Sequence, residues 1–235
     1  MMLPRIATPK YDMIVPSTGE TVTYRPYVVK EEKILLIALE SGSDEAIESA
    51  VVDIIKLCVE TPINTDILTT FDIEFMFVNL RAKAVGEGIK VNPPCQHCKE
   101  TSEQKIDLEK VIVKGLEEDI DMRVKLTDDI SADIIWPTMK NKLTEEDMKT
   151  GTDTLINMVA RSIGTIYSGE DIFSASDSSK KELVEFVESL GTDQFNDLVD
   201  KVSKAPQLSY NLKYKCKACK KNNDMELKGL IDFFQ

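Results

Sequence analysis

The chain has 235 residues, 41 acidic against 29 basic, and a net charge of −12. So acidic a protein is repelled by nucleic acid and by anionic membranes, and binding to either needs a local basic patch. With 42% hydrophobic and 30% charged residues it has the balance of a folded protein, and no apolar run approaches the roughly 18 residues of a membrane span.

The N-terminal stretch "MMLPRIATPKYD" has no apolar core or cleavage site and does not read as a secretion signal. "KYDMIVPSTGETVTYRPY" reads as two short strands around a Pro16–Gly19 turn, an N-terminal β-hairpin. "VVKEEKILLIALESG" predicts a helix stopped at Gly42. Ser43 then caps a second helix with Ile47, Ala50, Val51, Ile54, Ile55 and Cys58 at helical spacing. Cys58 lies on that stripe and reads as a buried apolar thiol.

"TTFDIEFMFVNLRAKAVGEG" predicts a third helix with Thr70 as cap and Asp72 and Glu74 in its first turn, where the helix dipole favours acids. Its apolar residues, Phe75 among them, cover more than one face, as in a helix central to a core or half covered by a partner. "EQKIDLEKV" and "DMRVKLTDDISADIIWP" read as strands, the latter folded at Asp128-Asp129. From about Asp153 a helix is expected through "LINMVARSIGTIY", then a loop at "GEDIFSASDSS". "KKELVEFVESLG" and "TDQFNDLVDKVSKAP" read as two short helices. The chain ends with two strands around a cysteine turn and a tail in which Phe233 and Phe234 are candidate partner contacts, together with Phe75.

Four of the five cysteines fall in two Cys-x-x-Cys pairs, "CQHC" and "CKAC". In a chain without secretion signals this layout points to metal rather than disulfides. Cys95, Cys98, Cys216 and Cys219 have the two-plus-two spacing of a structural Zn2+ site, one ion per chain, with each pair in a turn between extended runs. Two such hairpins facing each other make a zinc ribbon. The gap between the pairs far exceeds the usual 15 to 20 or so residues, so a large insertion, taken as 100–212, is expected to be closed at its base by the metal. This gives a region 1–90 of hairpin and helices, and a zinc-stapled α+β region 91–235, in one compact unit. The fold class is α+β.

Lys99, Lys213, Lys215, Lys217, Lys220 and Lys221 flank the thiols; they are expected to lower the thiol pKa values and offset the excess charge of four thiolates. The same lysines give an alternative reading as a nucleic-acid-binding zinc ribbon, which the acidic background and the lack of interleaved aromatics oppose. The single histidine, His97, sits inside a turn already holding two ligands and reads as a bystander. No nucleophile elbow, phosphate-binding glycine loop or zinc-protease helix occurs. The acidic clusters "GSDEAIE" and "LTEEDM" read as solvated first turns of helices. No enzyme is indicated.

Several stretches in order carry a family resemblance: "RPYVVKEEKILLIALESG", "FDIEFMFVNLRAKAVGE", "VKLTDDISADIIWPTM", "SIGTIYSGEDIF", "ELVEFVESLGTDQFNDLVDKV" and "LKYKCKACKKNNDMELKGLIDFF". From about Thr8 to Phe234 the sequence resembles the T4-type bacteriophage baseplate hub proteins. The resemblance implies a non-enzymatic hub subunit or hub assembly factor of a contractile tail, made in the host cytoplasm. It implies as partners other hub and tail-tip proteins, or copies of itself, and leaves open whether the protein stays in the finished particle.

Overall fold

Alternation of inward and outward residues builds the first element. In the computed structural model, which describes residues 6–116, 121–230 and 233, β1 (Tyr11–Ile14) pairs antiparallel with β2 (Thr21–Tyr24). Met13 and Val22 face each other across the ladder and point inward. Then α1 (Val29–Ser41) and α2 (Asp44–Cys58) form a helical pair joined at Gly42, whose φ of 67° only glycine adopts without strain. Cys58 is fully buried in α2, and burial carries its thiol up to about 11.

The cap of α3 (Thr70–Val85) is Thr69 and not Thr70. Asp72 decides it. This fully buried carboxylate accepts from Thr69 N–H (2.9 Å) and Thr69 Oγ1 (2.6 Å), while Asp72 N–H donates back to Thr69 Oγ1. It also accepts from Ser17 N–H (2.8 Å) and Ser17 Oγ (2.6 Å), tying the tip of the β1–β2 hairpin to the start of α3. The apolar excess of α3 is spent on two sides. Phe77 stacks on Tyr27, with ring centroids 6.3 Å apart. Val78, Ala82 and half-buried Phe75 face a second cluster, made with β3 (Gly88–Val91), β4 (Gln104–Asp107) and β5 (Ile112–Lys114).

The chain divides into two compact units, Met1–Leu116 with Gln207–Gln235, and Glu117–Pro206. In the second, β6 (Arg123–Lys125), β7 (Ile130–Ile134), β8 (Ile163–Ser168) and β9 (Asp171–Ser174) form an antiparallel sheet in that order. It packs with α4 (Gly151–Ser162), α5 (Lys180–Glu188) and α6 (Thr192–Val202) around Leu198, Ile163 and Val159. The expected long helix stops at Ser162 and "IGTIYS" becomes β8, because β-branched Ile163, Thr165 and Ile166 favour a strand and Gly164 breaks the helical run. "DIFS", expected in a loop, is β9; Gly169, at φ 59°, and Glu170 make the two-residue hairpin turn. The "LTEEDM" cluster is not simply a solvated turn. Asp147 is fully buried, accepting from Thr144 N–H and from Arg161 and Lys180.

The chain returns along β10 (Gln207–Lys215), paired with β11 (Asn222–Lys228) on one side and β5 on the other. Gln207 lies opposite Lys114 and Leu208 opposite Val113. The inserted unit therefore leaves and re-enters at neighbouring strand ends, and its base is closed by this ladder. The cysteines sit at the other end of β10, about 26 Å along a strand of this length at ~3.3 Å per residue. The insertion is also shorter than 100–212: Ile106, Leu108 and Val111 pack with α3 and with Leu208 and so belong to the first unit.

Candidate metal centre

Two turns with the same backbone geometry carry the four cysteines. Cys95 and Cys98 follow β3, and Cys216 and Cys219 join β10 to β11. In the first turn Cys95 N–H donates to Glu100 O (2.9 Å) and Lys99 N–H to Cys95 O (3.0 Å). In the second, Cys216 N–H donates to Lys221 O (2.9 Å) and Lys220 N–H to Cys216 O (3.0 Å). The residue after each pair is left-handed, Lys99 at φ 64° and Lys220 at φ 61°. The hairpins thus present equivalent knuckles, each with a buried first cysteine and a more open second one.

The sulfurs converge. Cys95 Sγ lies 3.7 Å from Cys219 Sγ, and Cys98 Sγ 3.7 Å from Cys216 Sγ; all four lie within 4.8 Å of one another. A disulfide needs about 2.05 Å, whereas four thiolates about 2.3 Å from a shared tetrahedral ion stand about 3.8 Å apart. The donor set fits a tetrahedral thiophilic cation. Burial raises the Cys95 thiol, but the N–H groups of Cys98 and His97 and the Asn223 side chain outweigh it and bring it down to about 6. The Cys98 thiol, despite the Glu100 N–H, is carried up to about 12 by desolvation and by the neighbouring cysteines. Four thiols this close resist ionising together, and a bound cation removes that conflict. The leading causes of lowering are backbone N–H groups rather than the flanking lysines, whose side chains are exposed.

Second-layer contacts hold the knuckles together. Gln96 N–H donates to Asn223 Oδ1 (2.9 Å), Gln96 Nε2 to Asp224 O (3.0 Å), and His97 Nε2 to Asn222 O (3.1 Å). His97 is therefore outside the donor set but bridges the hairpins. Buried Asn223 was not singled out by the sequence reading, and nothing local distinguishes it from Asn222 beside it. The fifth cysteine, Cys58, takes no part.

Of the candidate partner contacts, Phe233 is 3% exposed within the core cluster and Phe75 packs half-buried against it; Phe234 lies outside the described residues. Exposed apolar surface is instead found on α1, where Val29 is 79% exposed and Leu36 and Ile37 more than half exposed. The run "ILLIAL" is longer than one helical face can bury and was the available signal.

Among the described residues no helix is long and apolar enough to cross a membrane. No curated protein and no solved structure matches the chain. A family model described as T4 bacteriophage base plate protein matches residues 8–235. That match takes in the hairpin, both knuckles and the whole inserted unit, and the chain belongs to the T4 bacteriophage base plate protein family.

Proposed function

We propose that the protein is a structural or assembly component of the hub of a contractile-tail baseplate, acting through protein–protein contacts and stapled by one structural Zn2+. The family match over residues 8–235 carries the assembly part of this reading. The convergence of four sulfurs from hairpins far apart in sequence supports the zinc part. Cys95, Cys98, Cys216 and Cys219 would hold the ion. Four protein thiolates fill a four-coordinate zinc and leave no position for water or substrate, so the ion's contribution is folding energy rather than catalysis. The protein then works without turnover, made in the host cytoplasm and joining other hub and tail-tip proteins or copies of itself.

The test has two arms. Freshly purified protein is expected to carry about one zinc per chain, and Cys95→Ser with Cys216→Ser to lose it; well under half an equivalent in the parent, or a Cys95–Cys98 disulfide, overturns the zinc reading. In infected cells, the protein is expected to co-fractionate with tail intermediates and to restore tails to a strain lacking it. If tails form normally without it, while the protein binds DNA tightly at physiological salt and loses that affinity when Lys217, Lys220 and Lys221 become Gln, a nucleic-acid role replaces the assembly role.

A further inference from the structure

The inserted unit contains a pocket of about 560 Å³. Ile135, Ile163 and Leu183 give it an apolar floor, and its wall carries three cations, Lys140, Arg161 and Lys180. Such a concentration runs against a net charge of −12. Two carboxylates answer it: Asp147 pairs with Lys180 and, at 2.7 Å, with Arg161 Nη2, and Asp177 accepts from the lining hydroxyl of Ser176. Three positive charges against two negative leave an excess of one. Among the described residues Lys140 has no ionic partner, and the buried Nε of Arg161 has no hydrogen-bond acceptor. A buried donor without an acceptor is costly, and an incoming oxyanion would satisfy it.

The pocket also meets an open strand edge. β9 is the last strand of its sheet, with Ile172 68% and Phe173 52% exposed. Its final residue, Ser174, and the cross-strand partner Thr165 both line the pocket. An unpaired edge presents backbone N–H and C=O groups to an added strand, with affinity from the main chain and selectivity from side-chain pockets.

We propose that β9 and this pocket dock an extended acidic segment of another protein, whose backbone adds to the β9 edge and whose carboxylate side chain enters against Lys140, Arg161 and Lys180. A free inorganic anion would use the cations but leave the strand edge and the apolar floor without a role. The proposal takes from the assembly reading only that a protein partner exists. Its test reads neither metal binding nor particle formation, so either can fail while the other stands.

Full-length, metal-loaded protein is titrated with three probes while backbone amide resonances are followed. The probes are acetyl-Val-Glu-Val-Glu-Val-amide, the same peptide with Gln for Glu, and inorganic phosphate. The acidic peptide is expected to shift the amides of Asp171–Ser178 and Arg161, and to bind at least tenfold more tightly than the Gln peptide. Lys140→Gln is expected to weaken it severalfold; Lys140 is exposed and has no ionic partner, so this variant keeps the fold even if Arg161→Gln does not. Equal binding of the two peptides overturns the charge argument. Phosphate shifting the same amides as strongly as the acidic peptide overturns the peptide in favour of a small-anion site. No shift with any probe at about 10 mM overturns the pocket as a binding site.

Discussion

Asp72→Ala tests whether one carboxylate holds the N-terminal hairpin to the helical core. Its two oxygens take four donors, two from Ser17 at the hairpin tip and two from Thr69 at the α3 cap. After substitution, water can reach the part-buried Ser17 groups but not Thr69, which is buried. Two buried donors left without acceptors cost about 1–3 kcal/mol each, partly offset because no carboxylate need then be desolvated, so the net loss is expected near 3 kcal/mol. At about 2–4 °C per kcal/mol for a chain of this size, the melting temperature should fall by roughly 6–12 °C. Thr69→Ala, which removes an ordinary cap, should cost only about 1 kcal/mol. Asp72→Asn should recover little, since one oxygen becomes a donor facing donors. The assay is thermal melting at fixed metal loading, with far-UV dichroism for the whole chain; Trp136, the sole tryptophan, lies in the inserted unit and reports it separately. The dichroism transition should move and the Trp136 transition stay. If Asp72→Ala costs no more than Thr69→Ala, or Asp72→Asn behaves as the parent, the clamp is not what secures the hairpin.

Three further predictions follow from named groups. Lys99→Gly and Lys220→Gly should leave stability unchanged or raise it by up to about 1 kcal/mol, because relief of the left-handed backbone strain at φ 64° and 61° competes with glycine's extra unfolded entropy; chelator-driven unfolding reads this, and a clear loss refutes it. Burial pushes Asp147 up, but bonds from Lys180 and Thr144 and the Arg161 charge outweigh it and hold the carboxyl below its ordinary value. A depressed carboxyl contributes its stability in full above about pH 4 and loses it as pH falls below that, so acid titration by Trp136 fluorescence should show a weakening that Asp147→Asn abolishes. Replacing residues 115–206 with Asn-Gly should leave a soluble first unit that keeps its metal, because Lys114 and Gln207 already stand as a hairpin's flanking pair; an insoluble or metal-free product refutes the insertion boundary.

What the sequence disclosed follows from how far each determinant reaches along the chain. The knuckles were legible because Cys-x-x-Cys confines two sulfurs to one turn, whatever the fold around it. The cap of α3 was legible to within a residue, Thr69 and Thr70 being separated only by the Asp72 side chain, whereas the stop of α4 at Ser162 was not legible. Apolar excess was legible as a quantity but not as a direction. The third helix spends its surplus on two cores, whereas α1 exposes Leu36 and Ile37; which helix lies between two layers is not a property of either helix alone. β9 carries no signal of its own, because its four residues gain strand character only from pairing with β8.

The insertion boundary is the extreme case. β5 is three residues long and carries no pattern of its own; it is a strand because Gln207–Ser209 arrive beside it after the whole inserted unit has been traversed. A host unit tolerates an insertion when entry and exit strands are neighbours, since it then experiences only a closed hairpin, and the closing cost grows only with the logarithm of the loop length. The ladder supplies that closure at one end of β10, and the four thiols of the two hairpins converge at the other. A metal held there would add to the shared core of Ile89, Val91, Leu212 and Tyr214 and to the Gln96, His97 and Asn223 hydrogen bonds that already join the first unit's two chain segments. For the proposed structural role a site closed to substrate suffices: a metal there would join residue 95 to residue 216, and an open coordination position would weaken that joint.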